Sequence, residues 1–339
     1  MEDGFPTVGQ ALGRSCSLSF GFMRFPILLL LLGGLALLPA RAQTTLRVTG
    51  PPTLLIDADR AEVPVMRPLW SPDGRYLALS GPGYQGLWLY DREDGTLRRL
   101  TDAPAAGFGF SWSADGTTLL ARVARFEGLR RYNAIVTVDV ATGGVQRVGE
   151  ERTLMPDLPR WAPDDRHVLL YRRGRVETFD TGKPAVLTPA KADAPVLLSG
   201  GGRLQRVAGT AVTAIHPIPD AEVLNATPSP QGARVAFEVL GGNLYVMNSD
   251  GTGLVDLGPG HRPRWSPDGR WVVFMRTEDD GYRFTASDLY AAPADGSATV
   301  RLTDTAAVLE MNPAWSPDGR WIAFDDHATG DVYLLPVAE

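Results

Sequence analysis

Cysteine is almost missing: Cys16 is the single one in 339 residues. One thiol can form no intramolecular disulfide and no thiolate zinc site. Lysine is nearly as rare, with only Lys183 and Lys191, so arginine carries almost all the positive charge. After residue 42 no stretch of useful length shows the 3.6-residue spacing of an amphipathic helix. Catalytic fingerprints are lacking as well. There is no G-x-S-x-G nucleophile elbow, no HExxH, no P-loop and no dinucleotide-binding glycine motif. The net charge of −6 argues against nucleic acid as a partner.

The one extended apolar run, Ile27 to Leu38, has 12 residues. As a helix it would cover roughly 18 Å, short of the ~30 Å hydrocarbon core. Arg24 precedes it, and Pro39-Ala40-Arg41-Ala42 follows with a small-x-small pattern. Residues 1–42 therefore read as an export signal cleaved before Gln43, with Met23 as a candidate true start. Cys16 lies upstream of the apolar run, where no lipid anchor would attach. The expected location is periplasmic or secreted, with no membrane span left after signal removal. Without residues 1–42 the net charge is −7.

What the chain has in abundance is a repeat. Trp70-Ser71-Pro72-Asp73-Gly74-Arg75 recurs from Trp265 and from Trp315. Weaker copies start at Trp112 and Trp161, and a degenerate one without Trp at Pro228. Each copy is followed by an apolar run rich in β-branched and aromatic residues, such as Tyr76-Leu77-Ala78-Leu79, then by further runs separated by Asp-Gly turns. Strand, tight turn, strand, repeated within about 40 residues, is a four-stranded propeller blade. The expected fold is all-β: a β-propeller over residues 67–339 made of four-stranded antiparallel blades. The motif Trp is expected to pack between blades and the motif Asp to shape turns. The last unit holds only three strands, so one of two apolar stretches within 43–66, Leu46–Val48 or Leu54–Ile56, is expected to close the ring. From Trp161 to Pro228 the gap is 67 residues, against 37 to 50 elsewhere. Six blades with an insertion fit this spacing, or seven if residues 192–217 form a degenerate blade.

The WSPDGR units, with tails such as Arg99-Leu100-Thr101-Asp102, resemble the TolB-like propeller repeat over nearly all of the chain beyond residue 42. The resemblance implies an exported propeller, usually six-bladed, often serving protein–protein contacts. TolB proteins carry an extra N-terminal α/β domain, for which residues 43–66 are too short, so a Tol–Pal role is not carried over. Prolyl oligopeptidases resemble these repeats but add a catalytic α/β domain, and no residues are left over here to build one. Oligogalacturonate lyases also resemble TolB-like propellers and use a histidine-bound metal on the channel face. Here His167, His216, His261 and His327 are widely separated, with only His261 expected near the rim.

Within each blade, the loops joining strands two and three fall on one face of the ring and vary in length, as in Arg122–Asn133, Arg276–Ser287 and Asp325–Gly330. Loops on a rigid scaffold commonly carry function. Arg67, Asn225, His261, Arg262, Glu310 and Asn312 are expected to rim the channel on that face, binding a ligand or else bonding free backbone groups. Arg122 and Arg130 make one loop basic, together with Arg125 and Arg131; Glu278, with Asp279 and Asp280, makes another acidic. The expected function is an exported, non-catalytic binding module for another envelope or secreted protein, without cofactor or metal. The alternative is a carbohydrate-binding or carbohydrate-cleaving, lyase-like propeller working at the channel mouth.

Overall fold

The computed structural model describes residues 45–185, 195–200 and 202–339. The export leader expected over 1–42, with Cys16 and Met23, lies outside the described residues. Among the described residues, helix is confined to Ala58–Ala61 and the short turn Pro82–Tyr84. No helix among the described residues is long and apolar enough to cross a membrane.

The strands form seven small antiparallel sheets, the blades of one β-propeller. Blade 1 runs from Met66–Trp70 to Leu97–Thr101, and blade 2 from Ser111–Trp112 to Val145–Arg152. Blades 3 (Arg160–Trp161 to Arg175–Asp180) and 4 (Val196–Gly200 to Ala211–Ile215) have three described strands each. Blade 5 runs from Val223–Pro228 to Val255–Gly258, and blade 6 from His261–Trp265 to Val300–Arg301. Blade 7 starts at Glu310–Trp315 and ends with Val332–Ala338. Of the two blade counts that the spacing allowed, seven is the one the strands form. The motif-free stretch within 192–217 builds blade 4, because strand pairing needs only apolar runs and turns. Gly202 and Gly209 supply those turns at φ 73° and 58°.

Blade 7 takes its outer edge from the other end of the chain. Arg47–Val48 pairs with Val337 and Ala338, and Thr53–Ile56 pairs with the segment around Leu334. Both short strands share the same partner strand, so the last blade has no bare edge there.

The motif residues do separate jobs. Ser71 Oγ donates to Asp73 Oδ1 at 2.5 Å and accepts from the Tyr76 N–H at 2.9 Å. Asp73 Oδ1 also accepts the Arg75 N–H, and Gly74 sits at φ 75°. The same Ser–Asp turn recurs at Ser113/Asp115, Ser266/Asp268 and Ser316/Asp318. The motif Trp ties blades together. Trp70 Nε1 donates to the Ala314 carbonyl, Trp112 to Leu69, Trp161 to Ser111 and Trp265 to Thr227. Each acceptor lies on the inner strand of the preceding blade. Trp315 differs, donating to Gly319 in its own turn.

There are seven hydrophobic clusters, and each spans one blade–blade boundary. Leu87, Leu89, Leu119 and Val138 join blades 1 and 2; Trp271, Leu289, Ile322 and Phe324, capped by Leu46, join blades 6 and 7. Among the described residues, the joint of blades 3 and 4 has the smallest buried cluster, Leu169, Leu198 and Val207. Burial stabilises by about 25 cal/mol per Å², so the smallest joint is the weakest.

Two outcomes follow from this packing. Trp265→Phe should cost about 1 kcal/mol, the worth of the indole hydrogen bond, and Trp265→Ala about 3–5 kcal/mol in chemical denaturation. A Trp265→Phe variant as stable as the natural protein would refute the contribution of the indole hydrogen bond. In hydrogen exchange followed by mass spectrometry, Arg203–Ala208 of blade 4 should lose protection before Trp271–Asp279 of blade 6; the reverse order would contradict the ranking of joints.

Candidate functional site

The inner strands of blades 1, 5, 6 and 7 each break register near the same end. At each break one residue adopts a left-handed conformation: Arg67 (φ 59°), Asn225 (49°), Arg262 (57°) and Asn312 (51°). None is glycine, so each bulge carries strain of order 1–3 kcal/mol that its surroundings must hold. The preceding blade does so in three of the four. The Arg67 N–H donates to Asp325 Oδ1 at 2.8 Å, the Arg262 N–H to Glu238 Oε1 at 2.5 Å, and the Asn312 N–H to the Met275 sulfur at 3.4 Å. Met275, Glu238 and Asp325 each stand at the fifth position of the second strand of their blade.

The two carboxylates are further engaged. Asn312 Nδ2 donates to Asp325, Asn225 Nδ2 donates to Glu238, and His261 Nδ1 lies 3.3 Å from Glu238 Oε2. Burial pushes the Asp325 carboxyl up to about 7. Burial also acts to raise Glu238, but its bonds from His261, the Arg262 N–H and Asn225 hold it below the usual range. His261 is raised in turn by Glu238.

Arginines crowd the tunnel behind this rim. Arg160 and Arg264 directly precede motif Trp residues on the inner strands of blades 3 and 6. Protein surrounds both, yet each keeps some water-accessible surface, as side chains lining a narrow tunnel do. Arg160 Nη2 reaches across to the Ala226 carbonyl of blade 5 at 3.3 Å. Arg264 is lowered to about 9 by burial and by repulsion from Arg67, Arg262 and Arg160. Arg67 is lowered to about 10, first by burial and then by Arg262. Its guanidinium lies 5.4 Å from the centre of the Tyr84 ring. Arg160 and Arg264 were not among the residues expected at the rim, although their place immediately before Trp161 and Trp265 marked them as inner-strand residues.

The other expected residues scatter. Arg122 is buried in the strand Thr118–Glu127 and donates to the Met155 and Pro156 carbonyls, so it holds a loop rather than facing outward. Arg130 and Glu278 are exposed on two long hairpins. Of their charged neighbours, Arg125 pairs with Glu151 at 2.9 Å, and Asp280 accepts N–H groups of its own turn. Glu310 is fully buried and takes the hydroxyls of Thr303 and Thr305, out of reach of any rim ligand. Among the described residues, no three His, Cys, Asp or Glu side chains gather closely enough to hold a metal ion.

The two hairpins stand out on this face. Thr118–Glu127 with Arg130–Asp139 in blade 2, and Trp271–Asp279 with Phe284–Pro293 in blade 6, have strands of 9 to 10 residues, against 5 for Tyr76–Ser80 in blade 1. The excess extends roughly 15 Å beyond the ring at about 3.3 Å per residue. Their tips expose Phe126, Leu129 and Tyr282. Phe284 packs edge-on against His327 of blade 7, 5.3 Å between ring centres.

No family model matches the chain. One curated relative, an uncharacterized peptidase YuxL of Bacillus subtilis, is 29% identical over 153 residues, which span 34% of this chain and 23% of that protein. Among solved structures, the β-propeller domain of Cps50 (Swd1) from Myceliophteria thermophila is similar with a TM-score of 0.58 at 13% identity, over 85% of this chain and 100% of that one. A putative TolB from Agrobacterium tumefaciens is similar with a TM-score of 0.50 at 17% identity, over 82% and 91%. The fold is therefore a β-propeller of a kind that TolB proteins share.

Glu310 gives a test of the buried polar network. Burial raises its carboxyl from 4.5 to about 7, against the hydrogen bonds of Thr305 and Thr303. A folded value above the unfolded one means that the neutral acid favours the fold. That stability is fully present below about pH 4.5 and is lost as pH rises through about 7. Glu310→Gln should therefore gain about 3 kcal/mol relative to the natural protein between pH 4 and 8 in urea melts. A pH-independent difference would refute the assignment.

Proposed function

We propose that this protein is an exported, non-catalytic binding module whose hairpin face takes another envelope or secreted protein. One observation carries the reading: two rigid hairpins, separated by two blades around the ring, lift Phe126, Leu129 and Tyr282 into solvent. Exposed aromatic residues of this kind dominate binding energy at protein interfaces, whereas isolated surface charges contribute little. The hairpins are anchored in blades held by buried joints, so a partner meets a preorganised surface. The export-signal pattern and the likeness of fold to TolB support a periplasmic or secreted setting. A lyase-like reading would need a metal-ligand set, and no candidate set gathers among the described residues.

The test is co-purification of the tagged protein from its native envelope fraction, beside a Phe126→Ser, Leu129→Ser, Tyr282→Ser variant of unchanged melting temperature. Recovery of a partner should fall at least about tenfold in the variant, equivalent to about 1.4 kcal/mol. A partner recovered equally by both would move the docking surface elsewhere, and no specific partner in either would overturn the reading.

A further inference from the structure

We propose that the propeller tunnel is an anion-binding site in which Arg160 and Arg264, with Arg67 and Arg262 at its mouth, hold a small ligand bearing phosphate or carboxylate oxygens. The four guanidiniums come from three blades. Arg160 belongs to blade 3, Arg262 and Arg264 to blade 6, and Arg67 to blade 1. Only the closed ring brings them together: Arg160 Nη2 donates to the Ala226 carbonyl at 3.3 Å and Arg262 Nη1 to the adjacent Asn225 side chain at 3.2 Å, while Arg264 follows Arg262 by two residues on the same strand.

Asp325 acts on Arg67 and Glu238 on Arg264 only through space, without direct pairing. Among the described residues none of the four forms an ion pair within 4.0 Å, whereas Arg75, Arg125, Arg152, Arg166 and Arg301 on other surfaces all do. The two acids nearby are already committed. Glu238 holds the Arg262 N–H, Asn225 and His261, and Asp325 holds the Arg67 N–H and Asn312. Those bonds go to backbone, amide and imidazole groups, not to the guanidiniums. Donors are left over: Arg67 Nη1 is buried without a hydrogen-bond partner. Arg264 Nη1 bonds only the carbonyl of adjacent Pro263, and Arg262 Nη1 only the side chain of Asn225.

Several planar guanidiniums converging in a confined, poorly solvated space are costly alone and well matched to oxyanions, which accept two N–H bonds from each fork. The arrangement selects for charge and compactness. A ligand with two or more negative charges gains from all four arginines at once, and the ring of inner strands excludes bulk. Protein docking on the hairpins does not require this site, and the two can fail separately.

The test titrates inorganic phosphate, pyrophosphate and citrate into the purified protein by calorimetry. Ionic strength is held constant with chloride, and glycerol serves as the neutral control. At least one anion should bind with Kd below about 1 mM, and glycerol should not bind. Arg160→Gln and Arg264→Gln should each weaken binding at least about tenfold, the worth of a charge-assisted pair. In anion-free buffer both should melt no lower than the natural protein, because each relieves repulsion; a purely structural arginine would do the opposite. Arg67→Gln and Arg262→Gln, at the wider mouth, should weaken binding by about threefold and serve if the inner variants fail to fold. Binding of phosphate and pyrophosphate alone would assign a phosphoryl ligand, and citrate alone a polycarboxylate; either supports the site. Phe126→Ser should leave these titrations unchanged. No binding of any anion at about 10 mM, or binding unaltered in all four variants, would overturn the proposal.

Discussion

Four of the seven blade joints depend on one recurring bond, the indole N–H of a motif Trp reaching back to an inner-strand carbonyl of the blade before it. A four-stranded sheet cannot bury both faces alone, so each blade is stable only between two others. The Trp both fills that joint and fixes how far one sheet slides along the next. The Ser–Asp–Gly turn then holds the Trp strand and its neighbour at constant length, which is why the turn repeats more faithfully than the strands do. Blades 4 and 5 both lack the Trp, and among the described residues the joint of blades 3 and 4 is the smallest while that of blades 4 and 5 is well filled.

The same inter-blade logic shapes the tunnel mouth. A bulge needs its free N–H satisfied, and in three blades the acceptor is a side chain from the neighbour: Asp325, Glu238 or Met275. Spending carboxylates on backbone groups leaves the arginines of the tunnel unpaired. Rigidity and binding potential therefore have a common origin. The acids that hold the strained rim in place are the acids that would otherwise neutralise Arg67 and Arg262. Above the rim, the long hairpins of blades 2 and 6 offer exposed apolar tips.

Much of the architecture was legible residue by residue. Asp-Gly turns and alternating apolar runs depend on neighbours in the chain, so the all-β blade unit and its boundaries could be read directly. Blade 4 could be read only as an option, because Val196–Gly200 and its partners have strand chemistry without the motif. The site was less legible. Arg67, Asn225, Arg262 and Asn312 were expected at the rim and occupy equivalent bulges. Met311, three residues before Ala314, holds the place that Met66 holds before Leu69; Glu310 lies one residue earlier, bonds Thr303 and Thr305 and is sealed from water. Arg122 follows an apolar run and reads as the start of a basic loop, but the strand continues through it and its side chain turns inward.

Local chemistry decided the turns, the strands and the repeat, because each rests on contacts within a few residues. The seven-fold ring, the pairing of residues 47–56 with the last strand, and the gathering of Arg67, Arg160, Arg262 and Arg264 were decided only by closure. Those contacts join residues some 100 to 290 positions apart, and no spacing along the chain records which side chains a closed ring will turn toward its axis.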